Sequence, residues 1–462
     1  DRLKITKVDV GTSIKQIVCG ANNIKKDQLV VVVLPGNELR TQTGEAFKIK
    51  KSKIRGEVSE GMICAEDEIG LGNNHDGIIE IIGDPEIGSK AGDYFNVKKD
   101  YILEIGLTPN RTDAFSHIGV CKDLYAYFQH RNYNINFSLP SIEEYTVHSK
   151  LKIDVNVDNQ DVCPKYLGVC IENIIVNESP QWLKNHLFSI GLKSVNNVVD
   201  VTNFVLHETG NPLHAFDYDS IVDKKIIVRR ANQGEEFSTL DSRLLKLDSN
   251  DLVIADTNKV LCLAGVIGSS NSGVNDSTTT IFLESAYFSP ESVRKTSKKH
   301  GIISDSSYRF ERGVDFKNCE YALKRAALLI SQVTGGTIGQ ESGFMIDDLQ
   351  SKEVVFSFDS CNKILGYEIS QDTIIAILKS LDFKILSNDG KFCKLSVPTF
   401  RVDVYREIDV VEEILRIYGY DNLPAASHIA FNPIVDNSKI SHNRIRNKIS
   451  HLLSVNGFYE IK

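Results

Sequence analysis

Apolar and polar residues alternate along the first part of the chain, in short segments separated by Gly, Asn and Pro turns. The alternation has the period of two that is typical of strands, and it predicts strands at 3–10, 14–19, 29–34 and 78–82. Several short strands in succession favour a small β-barrel. The next segment, 100–128, begins with a strand pattern and continues with a helical one.

Helical and strand patterns mix between 150 and 345. Ser179 and Pro180 can open a helix, and the residues that follow place three apolar side chains on one face: Leu183, Leu187 and Ile190. A second helix is predicted over 318–334, with Gly335 as its end.

A third unit, at 351–423, has the pattern strand, helix, strands, helix. Its first predicted helix starts at Ser370, and a later one starts near Ile408. Residues 425–441 form a polar linker before a further amphipathic helix. The predicted fold class is α+β with several domains, whose boundaries are 1–100, 101–149, 150–345, 346–424 and 425–462.

Composition narrows the functional class. The chain has 462 residues, of which 42% are hydrophobic and 25% charged, and this balance is typical of globular proteins. The net charge of −8 argues against a protein that coats nucleic acid through bulk charge. The nine cysteines are dispersed without a C-x-x-C pair, which predicts reduced thiols in the cytoplasm and no zinc site.

A local basic cluster lies on one predicted strand of the first unit. It consists of Lys48, Lys50, Lys51, Lys53 and Arg55. Such a strand can follow a phosphate backbone, although composition alone favours a solvated charged strand. Phe47 is the one obvious aromatic nearby, so we expect contacts to phosphate and to nucleic-acid shape rather than base stacking.

Groups suited to hydrolysis gather in the segment 199–217. Thr202 and Asn203 can hold a carbonyl or a water, and neutral His207 or His214 can act as a base near pH 7. Each histidine taken alone is more often a core or surface residue. Glu284 lies among apolar neighbours, so its carboxylate must be paired or must serve a ligand.

Two further segments are compatible with a pocket wall. Gly265 begins a glycine-containing turn after an apolar strand, for which a simple hairpin is the alternative. Ser304 and Ser306 belong to a segment rich in hydroxyls and charges, for which a helix cap with surface ion pairs is the alternative.

Four acidic residues form a candidate metal site. Asp409, Glu412 and Glu413 have the spacing i, i+3 and i+4 on a predicted helix, and Asp403 precedes them. Like charges at this spacing cost roughly 0.2–0.5 kcal/mol per pair, and an oxygen-liganded Mg²⁺ would relieve them. The alternative is a solvated acidic face that Arg416 partly neutralises.

Taken together, these segments resemble the beta subunit of bacterial phenylalanyl-tRNA synthetases. The matching stretches follow the order of that family and cover almost the whole chain: I-V-C-G-A-N-N-I, S-K-I-R-G-E-V-S-E-G-M-I-C-A-E-D-E-I-G-L, L-T-P-N-R-T-D-A-F-S-H-I-G-V, V-D-V-T-N-F-V-L-H-E-T-G-N-P-L-H-A-F-D, F-L-E-S-A-Y-F, S-Y-R-F-E-R-G-V-D and V-V-E-E-I-L-R-I-Y-G-Y-D.

The resemblance implies an oligonucleotide-binding-fold tRNA-binding domain, a connecting segment, an editing domain, a small winged-helix-like domain and the start of a synthetase-like domain, in the order of the five predicted ranges. It also implies a cytoplasmic subunit of phenylalanine–tRNA ligase that binds tRNA and no membrane. The partner would be an alpha subunit that uses ATP to activate the amino acid, in a heterotetramer of two alpha and two beta chains. Because the chain starts at Asp1 and ends within strand-like patterns, we expect a fragment without the family's extreme N-terminus and C-terminal part.

Editing answers a physical problem, because a pocket for phenylalanine rejects an isostere with one extra hydroxyl by only about 10²-fold. The family's editing pocket falls on Thr202, Asn203, His214, Gly265, Glu284, Ser304 and Ser306. By the resemblance, Glu284 would recognise the phenolic hydroxyl of tyrosine, and His214 and Thr202 would orient the ester and the attacking water. The family's Mg²⁺ site, shared with the alpha subunit, falls on Asp403, Asp409, Glu412 and Glu413.

Two positions depart from the family's pattern. Ser304 stands where the family usually has Thr, and Ser306 stands where it usually has Ala, so the pocket would be more polar at 306. Two rival functions remain open at this point. One is a free-standing deacylase, and the other is a tRNA-binding and assembly scaffold with weak or no editing activity.

Overall fold

The computed structural model describes residues 3–40, 46–71, 75–95, 101–346, 349–424 and 442–461. It divides the chain into two compact units, Asp1–Leu103 and Glu104–Lys462. The architecture is mixed α/β with several domains. Within the described residues, no helix combines the length and the apolarity needed to cross a bilayer.

The first unit consists of short antiparallel strand pairs, β1 with β2, β3 with β8, β4 with β5 and β6 with β7. Fully buried Ile17 lies at the centre of its small core. The elements are β1 (Lys4–Asp9), β2 (Ile14–Cys19), β3 (Val32–Val33), β4 (Glu38–Arg40), β5 (Ala46–Lys48), β6 (Ser52–Ile54), β7 (Glu57–Ser59), β8 (Met62–Ile63) and α1 (Ala91–Tyr94).

The strand predictions for this part of the chain are confirmed in part. The segments 3–10 and 14–19 form β1 and β2, but 29–34 contributes only β3. The segment 78–82 forms a single bridge, between Glu80 and Val30, and no strand. The prediction of a strand at the start of 100–128 is wrong for the described residues 101–111. Alternation of apolar and polar residues does not by itself provide the neighbouring strand with which a strand must form hydrogen bonds. Closure into a barrel stays a prediction.

The second unit contains two larger sheets. One has the strand order β11-β18-β10-β19, and the other has the order β17-β16-β15-β12-β9. A separate hairpin joins β13 and β14. The strands are β9 (Asp154–Val157), β10 (Lys165–Glu172), β11 (Leu213–Asp217), β12 (Lys225–Arg230), β13 (Glu236–Ser238), β14 (Leu244–Lys246), β15 (Leu252–Ala255), β16 (Val260–Leu263), β17 (Ile267–Gly268), β18 (Thr280–Tyr287) and β19 (Thr337–Met345).

Six helices accompany these sheets: α2 (His117–His130), α3 (Gln181–Ser189), α4 (Asn197–Thr209), α5 (Pro290–His300), α6 (Asp305–Phe310) and α7 (Asn318–Thr334). The helix predicted over 318–334 is confirmed as α7, and Gly335 ends it in the left-handed conformation, with φ 74°. Asn196 caps α4 by accepting hydrogen bonds from the first backbone N–H groups of the helix.

The two faces of the four-stranded sheet have different neighbours. Val169 and Leu283 point to the face that α3, α4 and α7 cover. Tyr166 and Phe282 point to the opposite face, into a core shared with the five-stranded sheet. Since side chains alternate along a strand, each even-numbered residue of β10, β11 and β18 lies between the two sheets.

The last part of the second unit follows the predicted order, with one additional helix. Its elements are β20 (Glu353–Ser357), α8 (Phe358–Leu365), α9 (Gln371–Ser380), β21 (Lys384–Asn388), β22 (Phe392–Ser396), α10 (Glu407–Tyr418) and, after residues outside the description, α11 (His442–Val455). Ser370 caps α9 as predicted. The predicted linker 425–441 lies outside the described residues, and the winged-helix arrangement stays a prediction.

Candidate functional site

Strand pairing brings together two residues that the sequence separates widely. His214 on β11 lies directly opposite Glu284 on β18, and Gly168 on β10 lies opposite Glu284 on its other side. All three belong to the face between the two sheets. A base and a carboxyl group therefore share one row of the sheet.

Glu284 is a buried acid whose Oε2 has no hydrogen-bond partner among the described residues. The residue is 5% exposed, and its Oε2 is buried and unpaired among the described residues. Burial raises the pKa of Glu284 to about 8. The nearby Tyr166 hydroxyl acts to lower this pKa, although it does not reach hydrogen-bond geometry. Burial raises the pKa of the Cys163 and Cys262 thiols, and the negative charge of the nearby Glu284 carboxylate raises it further. At neutral pH the carboxyl group is therefore mostly protonated.

His214 is held as a neutral imidazole. Its ring packs edge-on against Phe216, with 4.4 Å between ring centroids. A Cβ atom on Gly268 would lie 2.7 Å from His214 Cε1, so a glycine at 268 makes room for the ring. The residue is partly exposed, but Nε2 is buried without a partner among the described residues. Burial lowers the pKa of His214 to about 4.

The predicted residues Gly265 and Ser304 lie on segments that are tied together. Gly265 has φ +68°, and a Cβ atom there would lie 3.0 Å from Phe310. Ser304 caps α6, and its hydroxyl donates to the carbonyl oxygen of Val266 at 2.7 Å. The helix-cap interpretation is thus correct for Ser304. The same side chain also anchors α6 beside the turn at Gly265. Ser306 is partly buried in the first turn of the helix.

Thr202 and Asn203 occupy neighbouring positions on α4. The Thr202 hydroxyl donates to Val199 O at 2.7 Å, so its proton is committed to the helix and its oxygen is left as an acceptor. Asn203 is partly buried. Sequence reasoning missed Tyr166 and Arg309, which contact the groups around Glu284 and α4. No local spacing marks these two residues, because their partners lie on other elements.

The four predicted metal ligands do not converge. Buried Glu413 accepts hydrogen bonds from Arg401 at 2.8 Å and from Arg416 at 2.7 Å. Arg401 also binds Asp403 at 3.0 Å. Burial alone would raise the pKa of Glu413, but Arg401 and Arg416 more than offset this and hold it at about 2.

The remaining two carboxylates have other environments. Asp409 accepts hydrogen bonds from the backbone N–H of Arg406 at 2.9 Å and from its side chain at 2.8 Å. Glu412 is exposed. Across the ranges that the structure describes, no three acidic, histidine or cysteine side chains form a group able to hold a metal. As arranged in this chain, the residues do not fit Mg²⁺, and arginines neutralise three of the four carboxylates instead.

The basic strand is exposed, as a nucleic-acid contact requires. All five predicted cations, Lys48, Lys50, Lys51, Lys53 and Arg55, lie on or beside β5 and β6 at the surface. Lys48 and Lys50 line a cleft of about 970 Å³, together with half-exposed Phe47. Lys51 is partly neutralised by Glu60, with 2.6 Å between Nζ and Oε1.

Three family models match the chain. The tRNA binding domain model matches residues 1–90, the B3/4 domain model residues 162–335, and the tRNA synthetase B5 domain model residues 354–420. His214 and Glu284 thus fall within the B3/4 match, and Glu413 within the B5 match.

Curated relatives match over the full chain. The phenylalanine–tRNA ligase beta subunit of Bacteroides fragilis is 44% identical over 100% of this chain and 56% of the relative, and that of Geobacter metallireducens is 40% identical with the same coverage. An N-terminal fragment of the phenylalanyl-tRNA synthetase beta-subunit from Pyrococcus horikoshii has 19% identity and a TM-score of 0.35, over 68% of this chain and 85% of that one. The chain spans about half the length of the curated relatives it matches. Over that span, it belongs to the family of phenylalanine–tRNA ligase beta subunits.

Proposed function

We propose that this chain binds tRNA and hydrolyses mischarged tyrosyl-tRNA, as part of a phenylalanine–tRNA ligase beta subunit. The observation that carries the proposal is the pair His214 and Glu284 on one row of the sheet, each with a buried polar atom that has no hydrogen-bond partner among the described residues. Unpaired buried polar groups are costly, and their presence within a domain match points to a ligand that satisfies them.

A protonated Glu284 suits the recognition of a phenol. Its carboxyl group can donate to, or accept from, the hydroxyl group of a tyrosyl side chain. A phenylalanyl side chain would leave the buried carboxyl unpaired, and sites built around a hydroxyl group reject the analogue that lacks it strongly. Glu284 would thus select the mischarged ester and spare the correct one.

His214 and Thr202 would act on the ester and the water. With a pKa of about 4, His214 is neutral at pH 7, so it can accept a proton or orient a water molecule. The free lone pairs of Thr202 can accept from the same water. Asn203, Gly265, Ser304 and Ser306 would complete the wall of the pocket.

The assembled enzyme is part of the same proposal. The exposed cations of β5 and β6 would contact tRNA phosphates, and an alpha subunit would activate phenylalanine with ATP, in a cytoplasmic heterotetramer of two alpha and two beta chains. The word "subunit" in the names of the relatives supports a partner chain. No step of the proposed hydrolysis passes through Mg²⁺, because arginines pair with three of the four predicted ligands, Asp403, Asp409 and Glu413.

The test is deacylation of tyrosyl-tRNA and phenylalanyl-tRNA by this chain, with and without an added alpha subunit. We expect selective loss of the tyrosyl ester, and no loss with a His214→Ala, Glu284→Ala double variant. Equal rates for the two esters would contradict the role of Glu284. No hydrolysis by folded protein under either condition would leave the tRNA-binding and assembly scaffold, which the internally bonded hydroxyls of Thr202 and Ser304 favour.

A further inference from the structure

A contact between His207 and Arg309 joins two helices of the candidate site. Nη2 of Arg309, on α6, lies 3.3 Å from Nδ1 of His207, on α4. Arg309 is 7% exposed, and its guanidinium group also donates to the carbonyl oxygen of Phe115 and to Asp305. The two side chains thus meet between α4 and α6.

This contact fixes the tautomer of His207. A guanidinium group has donors and no acceptor, so Nδ1 of His207 must accept and cannot carry a proton. A neutral imidazole then carries its proton on Nε2. The doubly protonated form would break the contact, and burial together with the charge of Arg309 accordingly lowers the pKa of His207 to about 4.

The proton on Nε2 has no acceptor among the described residues. His207 Nε2 and Arg309 Nε are both buried and unpaired. Buried donors are nearly always satisfied in folded proteins, so an N–H group with a fixed direction and no acceptor indicates a place for an oxygen atom of a ligand.

The position of the two residues connects them with the site. His207 lies one turn after Asn203 on α4, and Arg309 lies one turn after Ser306 on α6. Residues four or three apart share a helix face. The contact therefore holds the α4 part of the proposed pocket against the α6 part.

We propose that His207 is a substrate-binding residue of the hydrolytic site, whose Nε2–H donates a hydrogen bond to an oxygen of the aminoacylated 3′ end of tRNA, while Arg309 is a positioning residue that fixes the tautomer. This inference rests on the proposed function. Because the donor is neutral, the acceptor is the ester carbonyl or a ribose oxygen rather than a group that needs a full counter-charge.

The experiment uses the whole chain and 3′-deoxy-3′-(tyrosylamino)adenosine, an amide analogue that is not hydrolysed at the ester position. Nitrogen NMR of imidazole-labelled protein should show His207 with a bare Nδ1 and a protonated Nε2, whose proton shifts when the analogue binds. Loss of the donor in His207→Leu should weaken analogue binding about tenfold. His207→Gln, which keeps an N–H donor, should recover part of the affinity.

His117→Leu serves as the matched control. The His117 ring contacts the backbone oxygen of His207 at 3.0 Å without touching Nε2, so this variant should bind the analogue like the wild type. Unchanged affinity in His207→Leu, or a proton on Nδ1, would overturn the inference. Wild-type protein that binds the analogue but hydrolyses no tyrosyl-tRNA would refute the proposed hydrolysis and leave His207 as a residue that binds the aminoacylated 3′ end, whereas failure of the wild-type protein to bind the analogue would refute the inference.

Discussion

Two buried glutamates of this chain have opposite environments. Glu284, in the B3/4 match, is 5% exposed, and Glu413, in the B5 match, is 3% exposed. Burial pushes both pKa values upward. Glu284 has no charged partner in the part of the chain that the structure describes, so its pKa reaches about 8, whereas Arg401 and Arg416 hold that of Glu413 at about 2.

The difference separates an acid that is satisfied within the fold from one that the proposed function requires. A buried carboxylate with two guanidinium partners is already satisfied and stabilises the packing of its own domain. A buried carboxyl group without a partner costs stability, and such costs concentrate at binding and catalytic sites. The sequence had predicted a functional role for both residues, recognition of a ligand for Glu284 and binding of Mg²⁺ for Glu413.

The largest expected effect follows from removing one of the two arginine partners of Glu413. Arg401→Gln leaves the buried carboxylate with Arg416 alone, and we expect a loss of about 3 kcal/mol in the free energy of unfolding, the lower end of the range for breaking a buried pair. Denaturant titration, followed by a spectroscopic signal from the residues of the B5 match, measures this loss of stability. Arg406→Gln, which breaks the exposed pair with Asp409, is the matched control and should leave the midpoint nearly unchanged. A midpoint for Arg401→Gln close to that of the control would mean that Glu413 does not depend on its arginine.

The next effect concerns the neighbour of Glu284. His214→Ala removes the proposed base, and we expect the rate of tyrosyl-tRNA deacylation to fall about 100-fold or more. Single-turnover deacylation gives this rate, and circular dichroism checks the fold. Ser342→Ala is a suitable control, because Ser342 lies on the same sheet row two strands away from Glu284. Activity retained in His214→Ala would assign hydrolysis to other groups.

The pH dependence of stability should differ between the two glutamates. The carboxyl group of Glu284 ionises near 4.5 in the unfolded chain and near 8 in the folded one, so the folded state keeps a proton that the unfolded state has released. Stability should therefore fall by about 1.5 kcal/mol between roughly pH 6.5 and 8. Below that window the low pKa values of His207 and His214 act in the opposite direction.

Glu284→Gln should remove the fall between pH 6.5 and 8. Glu413→Gln should keep that fall and instead remove a loss of stability on the acid side, since the pKa of Glu413 lies below its unfolded value of 4.5. Thermal unfolding at a series of pH values tests both variants. Identical pH profiles for the two would refute the contrast between them.

A smaller expectation concerns Mg²⁺. Because Asp403, Asp409 and Glu413 form ion pairs with arginines, we expect neither millimolar MgCl₂ nor EDTA to shift the unfolding temperature of this chain alone. Differential scanning fluorimetry is sufficient for the comparison. A clear upward shift with MgCl₂, lost in Glu412→Gln, would return the four carboxylates to the metal-site interpretation.

The smallest expected effect lies in the first unit. Lys48→Glu with Lys50→Glu should weaken tRNA binding and lower the slope of log affinity against log salt by about two. Filter binding at several salt concentrations measures the slope. Lys363→Glu with Lys379→Glu, at exposed lysines of α8 and α9, is the control, because it changes the net charge by the same amount. An unaltered slope in the double variant would favour a merely solvated strand.

The sequence predicted correctly those elements that depend only on residues close together in the chain. The periodicity that ends at Gly335 gave α7, and the hydroxyl of Ser370 gave the start of α9. The prediction of a strand at 78–82 was wrong for the opposite reason. A strand needs a neighbouring strand, and the periodicity of the segment does not specify one. Its one bridge reaches Val30, far away in sequence.

The site was predictable only through the family resemblance. The row that holds His214 and Glu284 exists because β11 and β18 pair in one register, and nothing in the spacing of the two residues encodes that register. The arginines around Glu413 were equally hidden, since Arg401 approaches from a loop before the helix. The orphan donor of His207 depends on Arg309, more than a hundred residues later.

The most direct test of the contrast is a titration of glutamate side-chain carboxyl carbons by ¹³C NMR, in wild type, Glu284→Gln and Glu413→Gln. We predict one carboxyl resonance with a midpoint near 8 that is missing in Glu284→Gln, and one that is still ionised near pH 3 and missing in Glu413→Gln. A wild-type spectrum in which every glutamate titrates between about 4 and 5, as free side chains do, would contradict the account.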